Sequence, residues 1–375
     1  MRQQVTLHLS NGDLFRGTLI GAPVKTSGEL VFTTAMVGYS ESLTDPSYFG
    51  QILVFTYPLI GNYGIPQISG SYNLESSAGF ESGKVHASAV VITTDSMEAF
   101  HWTSRQSLDQ WLKKQNVPGL VGIDTRHLVH LIRNNPGLLG RVIPNQDEGS
   151  RFLGSLNTFQ EEHFFDPNKN NIIQEVSITE RKVLGKGSNR IAVLDCGVKW
   201  NILRLIIDLG CEIELIPWNT NLQDVDCSAW LLSNGPGNPL QTGSLIDNTR
   251  TLLNQERPIL GICLGHQILC LASGFETGRM DYGHRSHNQP VYLVGSQKAY
   301  ITSQNHSYRV KSEKIPNDWE VWFRNVNDDT IEGVKHKSRP FRSVQFHPES
   351  AGGPRDTAWI IKQFVSEVKQ YATNS

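Results

Sequence analysis

The second half of the chain alternates short apolar segments with amphipathic ones, and this pattern restricts its fold more than any other feature of the sequence. The segments RIAVLDCG, CEIELIP and AWLLSNGPGNP are typical of buried strands. KWNILRLIIDLG, which follows the first of them, has an apolar helical face and a terminal glycine, formed by Ile202, Leu205, Ile206, Leu209 and Gly210. Strands that alternate with helices in this way predict a parallel sheet covered by helices on both faces, a doubly wound α/β fold.

The first half has a different pattern, which is dominated by short strands. VTLHLSNGDLFRGTLIG alternates apolar and polar residues around Asn11-Gly12, and this predicts a β-hairpin. Two helical patterns come later in this half, in SRQSLDQWLKK and DTRHLVHLIRNN. We therefore expect an α+β domain over residues 1–150 and a mainly parallel-sheet domain over 151–375, of which 151–187 form a polar linker.

The composition excludes several classes of protein. The 34 Lys and Arg residues nearly balance the 36 Asp and Glu residues, so net charge gives no reason to expect a nucleic acid or a membrane as partner. The five cysteines include no Cys-x-x-Cys pair, which is typical neither of a disulfide framework nor of a zinc site. The N-terminus lacks the apolar core of a signal peptide, and no apolar run approaches the roughly 18 to 20 residues of a membrane span. We expect a soluble, cytoplasmic protein.

A candidate nucleophile lies at the end of the predicted strand in PILGICLGHQ. Cys263 falls where this strand must turn sharply into a helix, and Gly261 and Gly265 flank it at two-residue spacing. Such a turn favours glycines because it leaves no room for neighbouring Cβ atoms, and the helix N-terminus favours a thiolate. The alternative is that Cys263 is a buried apolar cysteine, and Cys270 keeps that interpretation because it lies within an apolar run. The flanking glycines favour the nucleophile for Cys263.

The segment RSVQFHPES supplies the partners that a cysteine nucleophile needs. His347 and Glu349 are two residues apart at the end of a strand-like run, so their side chains point to the same face. A base and a group that orients it complete a Cys-His-Glu triad with Cys263. Backbone N–H groups of the glycine-rich segment SNGPGNP, together with that of Leu264, are placed to bind an oxyanion.

Three motifs, SNGPGNP, GICLGHQ and VQFHPES, resemble in sequence and spacing those of the triad-type, or class I, glutamine amidotransferases. In the first half, GELVFTTAMVGYSESLTDPSYFGQI, TYPLIGNYGI and GIDTRHLVHLIR resemble the N-terminal domain of the carbamoyl-phosphate synthase small chain. The resemblance extends over nearly the whole chain. It implies a glutaminase subunit in which Cys263 attacks the glutamine amide and forms a glutamyl thioester, His347 transfers protons, and Glu349 orients the imidazole.

The resemblance also implies where L-glutamine binds. The substrate-binding positions of the family correspond here to Ser47, Gly235, Gly237, Leu264, Gln267, Asn305, Ser307 and Tyr308. Because Ser47 belongs to the first half, the pocket is expected at the domain junction. The family usually has glycine at positions 286 and 307 and phenylalanine at position 308. We expect glutamine binding to survive if backbone groups make the contact, and to weaken if Ser307 forces a different φ.

The resemblance implies a partner chain, since no synthetase sequence follows Ser375. A separate large, or synthetase, chain would use ATP and Mg²⁺ to make carbamoyl phosphate from bicarbonate and the delivered ammonia, for arginine or pyrimidine biosynthesis. We expect this chain itself to hold no cofactor and no metal. His284 and His287 are predicted to be loop residues, because no third clustered ligand accompanies them.

Three other functions remain open from the sequence. An amidotransferase subunit that serves another synthase, such as one for anthranilate or a nucleotide, would normally lack the first half. A non-catalytic, glutamine-binding regulatory subunit would not need an intact triad. Mononucleotide binding by the doubly wound half is disfavoured, because the Gly-Pro-Gly of SNGPGNP is not a phosphate-binding loop.

Overall fold

The computed structural model describes residues 3–67, 74, 79–96, 98–145 and 163–374, which group into two compact units. The described residues of the first unit lie within Met1–Thr44, Tyr48–Ser69 and Gly83–Pro167, and those of the second within Asp45–Ser47, Gly70–Ser82 and Asn168–Ser375. The predicted domain boundary at residue 150 lies outside the described residues, as do residues 151–162 of the predicted linker 151–187. The division of the chain at that point stays a prediction.

The first unit is built around a sheet that closes on itself. Its elements, in chain order, are β1 (Gln4–Leu9), β2 (Leu14–Gly21), β3 (Thr26–Thr33), α1 (Tyr39–Thr44), β4 (Gln51–Phe55), β5 (Leu59–Ile60), β6 (Ala89–Ile92), β7 (Thr94–Asp95), α2 (Leu108–Lys114), β8 (Pro118–Val121), α3 (Thr125–Asn134) and β9 (Leu139–Pro144). Among the described residues, seven strands pair in the order β1-β2-β8-β6-β4-β3-β9, and pairing of β9 with β1 closes the sheet. The short strands β5 and β7 pair separately.

Alternating apolar side chains explain the core of this unit. Val5, Leu7 and Leu9 of β1 are fully buried and pack in one cluster with side chains from β3, β4 and β6. The predicted hairpin is confirmed, because β1 and β2 pair antiparallel and Gly12 adopts a φ of 95° in the turn. The two predicted helices are also confirmed, as α2 and α3.

The described residues of the second unit form a larger sheet and four α-helices. Its elements, in chain order, are β10 (Lys182–Leu184), β11 (Arg190–Asp195), α4 (Trp200–Asp208), β12 (Glu212–Pro217), β13 (Ala229–Leu232), α5 (Gly243–Leu252), β14 (Ile259–Ile262), α6 (Leu264–Ala272), β15 (Thr277–Leu293), β16 (Ala299–Val310), β17 (Trp319–Asn325), β18 (Ile331–His336), β19 (Phe341–Val344) and α7 (Trp359–Asn374). Within the described residues the sheet has ten strands in the order β10-β12-β11-β13-β14-β19-β18-β16-β15-β17.

The middle of this sheet confirms the doubly wound fold. Strands β12, β11, β13, β14 and β19 are parallel neighbours. Apolar side chains of α4 and α7 pack into one buried cluster, and those of α5 and α6 pack into another, so both faces are covered. Beyond β19 the sheet continues with the antiparallel strands β15 to β18. No helix in the described part of the chain is long and apolar enough to cross a membrane.

The strand register determines which loops meet. Leu194 of β11 pairs with Leu232 of β13, Leu232 pairs with Gly261 of β14, and Ile262 pairs with Val344 of β19. The carboxyl ends of four neighbouring parallel strands therefore lie at one edge of the sheet. The segments that follow these strands are brought together there, as expected for the functional edge of such a fold.

Candidate active site

Cys263 occupies a strained turn between β14 and α6. Its φ of 54° and ψ of −104° are unusual for a non-glycine residue. A Cβ on Gly261 would lie 2.6 Å from the carbonyl oxygen of Gly265, and a Cβ on Gly265 would lie 2.0 Å from the carbonyl oxygen of Leu232. Both glycines are therefore required by close backbone packing. The Cys263 N–H donates to the carbonyl of Val344 at 2.9 Å, which ties the turn to β19.

His347 and Glu349 lie just beyond the end of β19, next to the cysteine turn. The His347 N–H donates to the carbonyl of Ser303, and the imidazole Nδ1 lies 2.8 Å from Glu349 Oε1. The bond at Nδ1 leaves Nε2 as the nitrogen available for proton transfer. Burial lowers the pKa of His347, but the charge of Glu349 and the Cys263 thiol more than offset it and raise the pKa to about 10. The imidazole is thus protonated at neutral pH and suited to protonate a leaving group.

Lys199 is a further member of the site, which sequence reasoning missed. Its Nζ lies 2.8 Å from Glu349 Oε1, the same oxygen that contacts His347, and the two side chains are 6% and 0% exposed. Burial raises the pKa of Glu349, but Lys199 and His347 outweigh it and hold the group as a carboxylate. The sequence could have indicated Lys199 through its position alone, because this residue follows β11 at the carboxyl edge of the sheet.

Ser47 lies in the second unit, within the short segment Asp45–Ser47. The Asn234 side chain donates to Ser47 Oγ at 3.0 Å and to the carbonyl of Gly197 at 2.9 Å. Its Oδ1 accepts from the backbone N–H of Lys199 at 3.1 Å. Asn234 therefore connects the sequence-predicted Ser47 to the segment that follows β11.

The glycine-rich segment after β13 approaches the backbone closely. A Cβ on Gly235 would lie 2.1 Å from the Cys196 carbonyl oxygen and 2.9 Å from Leu264 Cδ2, so only glycine fits there. Gly237 has a φ of 91°, a conformation that glycine adopts without strain. Leu264 is the first residue of α6 and directly follows Cys263. The structure thus brings Gly235 and Leu264 together beside the cysteine turn.

The remaining sequence-predicted residues come from α6 and β16. Gln267 of α6 donates through Nε2 to the carbonyl of Tyr308 at 3.0 Å. The Cys263 thiol lies 3.8 Å from the carbonyl oxygen of Asn305. Ser307 lies within β16 outside the left-handed region, opposite a register shift in the pairing with β15, and its Oγ accepts from the Arg285 guanidinium. The serine at position 307 therefore forces no unusual φ.

His284 and His287 do not lie in a loop, which corrects the prediction from the sequence. Both are on β15, where His287 Nδ1 contacts Ser303 Oγ at 2.6 Å. His284 forms ion pairs with Asp328 at 3.0 Å and Glu332 at 3.2 Å.

The expectation that no third ligand accompanies His284 was also wrong. His306 and Glu332 place ligand atoms within 4.8 Å of one another and of His284. Gln304 Oε1, however, lies 2.8 Å from His284 Nδ1 and 3.1 Å from His306 Nε2, so the two imidazoles contact an amide oxygen. We assign no metal to this cluster, and the absence of a metal stays a prediction.

Comparison with known proteins divides the chain as the motifs do. Residues 7–142 match a family described as carbamoyl-phosphate synthase small chain, CPSase domain. Residues 192–367 match a family described as glutamine amidotransferase class-I. The second match contains Cys263, His347 and Glu349.

Full-length similarity gives the family. The carbamoyl phosphate synthase arginine-specific small chain of Saccharomyces cerevisiae is 40% identical over 385 residues, which cover 99% of this chain and 90% of that one. The corresponding chain of Debaryomyces hansenii is 41% identical, over 99% of this chain and 87% of that one. The multifunctional protein CAD of Squalus acanthias is 46% identical over 96% of this chain, but the chain spans only 16% of that protein's length. The chain belongs to the carbamoyl-phosphate synthase small-chain family and carries a class-I glutamine amidotransferase domain.

Proposed function

We propose that this chain is the glutaminase subunit of a carbamoyl-phosphate synthase, which hydrolyses L-glutamine at Cys263 and delivers ammonia to a separate synthetase chain. The observation that carries the proposal is the convergence of three groups at one edge of the sheet. A strained cysteine at a helix N-terminus lies beside an imidazole that is oriented by a buried carboxylate. A regulatory subunit that only bound glutamine would not need this strained arrangement.

The chemistry follows from these positions. The Cys263 thiolate attacks the side-chain amide carbon of glutamine, and the carbonyl oxygen becomes an oxyanion. Backbone N–H groups of Leu264 and of Gly235 or Gly237 stabilise this charge. His347 gives its proton to the amide nitrogen, ammonia leaves, and a glutamyl thioester remains. His347 then takes a proton from the attacking water, and glutamate and the thiolate are regenerated.

The remaining residues are proposed to hold the substrate. Ser47, Gln267, Asn305, Ser307 and Tyr308 come from segments that surround the triad in the second unit. For Ser307 and Tyr308 we propose backbone contacts, since Ser307 has no left-handed φ that would displace those groups. Glutamine binding then tolerates Tyr308 in place of the phenylalanine that is usual in the family.

The partner is proposed from the family and from the chemistry of ammonia. A family named for a small chain implies a larger chain, which we propose uses ATP and Mg²⁺ to convert bicarbonate and ammonia to carbamoyl phosphate. Ammonia that escapes into neutral water is protonated and no longer nucleophilic, so a sheltered route to the partner is needed. The five cysteines are buried and free, which fits the reducing conditions of the cytoplasm, where we propose that the complex acts.

The test is glutamate release from glutamine by the purified chain, with and without the synthetase chain, against Cys263→Ala. We expect release that depends on Cys263 and rises with the partner. In the complex, Cys263→Ser should abolish glutamine-dependent synthesis and leave ammonia-dependent synthesis intact. Glutamine binding by folded protein without release in either condition would refute the proposal in favour of a regulatory subunit.

A further inference from the structure

We propose that Glu81 is a positioning residue of the glutaminase site. It holds the N-terminus of α4, from which Lys199 and Asn201 hold Glu349, and it thereby sets the position and charge environment of His347. This inference rests on the proposed function, but its structural part concerns groups that can be probed without glutamine turnover. Neither the motifs nor the triad geometry assigns a role to Glu81.

Glu81 takes the place of a helix cap. It is fully buried, and its Oε2 accepts from the backbone N–H of Asn201 at 3.2 Å. Its carbonyl accepts from the backbone N–H of Trp200 at 2.9 Å. The N-cap residue of α4, Lys199, provides no side-chain hydrogen bond of its own. Glu81 therefore binds the first two N–H groups of the helix, that of Trp200 with its carbonyl and that of Asn201 with its carboxylate, a position for negative charge that the helix dipole favours.

Residues at the N-terminus of α4 also contact Glu349, the carboxylate of the proposed triad. Lys199 Nζ contacts Glu349 Oε1 at 2.8 Å. Asn201 Nδ2 donates to the backbone carbonyl of Glu349 at 2.6 Å. One contact fixes the side chain of Glu349 and the other fixes its backbone. A shift of the helix N-terminus would move both contacts, and misplacement of about 1 Å is enough to impair catalysis strongly.

A second set of contacts fixes Glu81 to the same helix. Arg204, one turn further along α4, donates through Nη2 to the carbonyl of Phe80 and through Nε to that of Leu74, both at 2.9 Å. Its Nη1 lies 3.9 Å from Glu81 Oε1. The segment that carries Glu81 is thus bound to α4 through both main chain and side chain, which suits a role in positioning.

Charge gives Glu81 a second effect on the site. Burial raises its pKa to about 7, and Lys199 opposes this rise. The positive charge of Lys199 thus interacts with two carboxylates, those of Glu81 and Glu349. When the charge of Glu81 is removed, the positive charge of Lys199 is less compensated. Acidic groups nearby then lose their protons at lower pH.

Two variants of the full chain separate the effect of the Glu81 charge from the effect of its side-chain length. Glu81→Gln removes the charge, and Glu81→Asp keeps the charge but shortens the side chain. The first readout is the rate of Cys263 alkylation by iodoacetamide against pH, which needs no turnover. For Glu81→Gln we expect the alkylation midpoint to fall by about half a pH unit, whereas Glu81→Asp should leave it in place.

The second readout is steady-state glutaminase activity in the complex with the synthetase chain. Both variants should lower kcat by about tenfold with KM nearly unchanged, because positioning of the triad and not glutamine affinity is lost. In a double-mutant cycle with Lys199→Met, Glu81→Gln should lower kcat less than it does in the unsubstituted chain, since part of its effect passes through Lys199 and the rest through Asn201. Additive losses, or an unchanged kcat and midpoint in folded Glu81→Gln, would overturn the proposal.

A matched control is Glu332→Gln, which removes an equally buried carboxylate that contacts His284 and not α4. It should leave the alkylation midpoint in place, and a shift equal to that of Glu81→Gln would contradict a specific role. If Glu81→Gln does not fold, Glu81→Asp with unchanged kcat is sufficient to refute the positioning role. Failure of the unsubstituted chain to release glutamate would refute the proposed function instead, and the alkylation profiles would still decide the role of Glu81.

Discussion

Substitution of Lys199 by methionine gives a sharp test of the buried charge network. Met has a similar length but no charge, so Lys199→Met leaves the Glu349 carboxylate in a dry site with His347 as its remaining charged partner. Removal of one partner from a buried ion pair costs about 3–5 kcal/mol, because the other charge stays buried and uncompensated. Since His347 still contacts Glu349, we expect about 3 kcal/mol at neutral pH.

The pH dependence of this loss has a definite sign. Burial raises the pKa of Glu349, but Lys199 and His347 lower it below the unfolded value of 4.5, to about 2. The ionised carboxylate therefore contributes stability above pH 4.5, and that contribution disappears as the pH falls toward 2. Lys199 carries its charge throughout this range. The destabilisation of Lys199→Met should thus be large at pH 7 and much smaller at pH 3.

The assay is urea denaturation of both proteins at the two pH values, with thermal unfolding as a check. For a unit of this size, 3 kcal/mol corresponds to a fall in Tm of about 6–12 °C. Lys199 also lowers the pKa of His347, so its removal should move the basic limb of the kcat/KM profile, where the imidazolium loses its proton, to higher pH. A loss of stability below about 1 kcal/mol at pH 7 would refute the reasoning, because a loss that small is typical of a solvent-exposed ion pair and not of a buried one. An equal loss at both pH values would refute it as well.

Three other substitutions test separate features. Gly265→Ala places a Cβ 2.0 Å from a carbonyl oxygen, so we expect a loss of about 2–3 kcal/mol in urea denaturation, whereas Gly243→Ala, with open space at its Cβ, should change stability little. His347→Ala should reduce glutaminase kcat more than Glu349→Ala, since the proton-transfer group costs more to lose than its orienting partner, and the reverse ranking would exchange their roles. Burial lowers the pKa of His284, but two carboxylates raise it from 6.5 to about 9, so its ion pairs contribute stability below pH 6.5 and lose it above pH 9. His284→Asn should therefore be more destabilising at pH 6 than above pH 9, and equal unfolding free energies would contradict this.

The sequence predicted that Cys263, His347 and Glu349 lie together because local spacing encodes much of their arrangement. Gly261 and Gly265 mark the turn at Cys263, and the observed close contacts explain that spacing. His347 and Glu349 lie two residues apart, and the observed bond between them is short-range in the chain. The parallel core was predicted for the same reason, since each strand and helix has its own periodicity.

The structural features that the sequence did not indicate depend on contacts between distant segments. The contact of Lys199 with Glu349 joins residues 150 positions apart. Closure of the first sheet depends in the same way on pairing of β1 with β9. Register shifts on either side of His284 interrupt the pairing along β15, so the residues around it lack the regular alternation that indicates a strand. Nearest-neighbour patterns carry no information about such pairings.

The central position of β19 affects when the turn at Cys263 can take its observed conformation during synthesis. A ribosome makes the chain from its N-terminus, so Cys263 emerges well before Val344, whose carbonyl binds the Cys263 N–H. Strand β19 must insert beside β14 and β18 before the turn is held in its strained form. Until then the cysteine lacks both its conformation and its imidazole partner. The conformation of the proposed nucleophile is therefore completed only when β19 is in place.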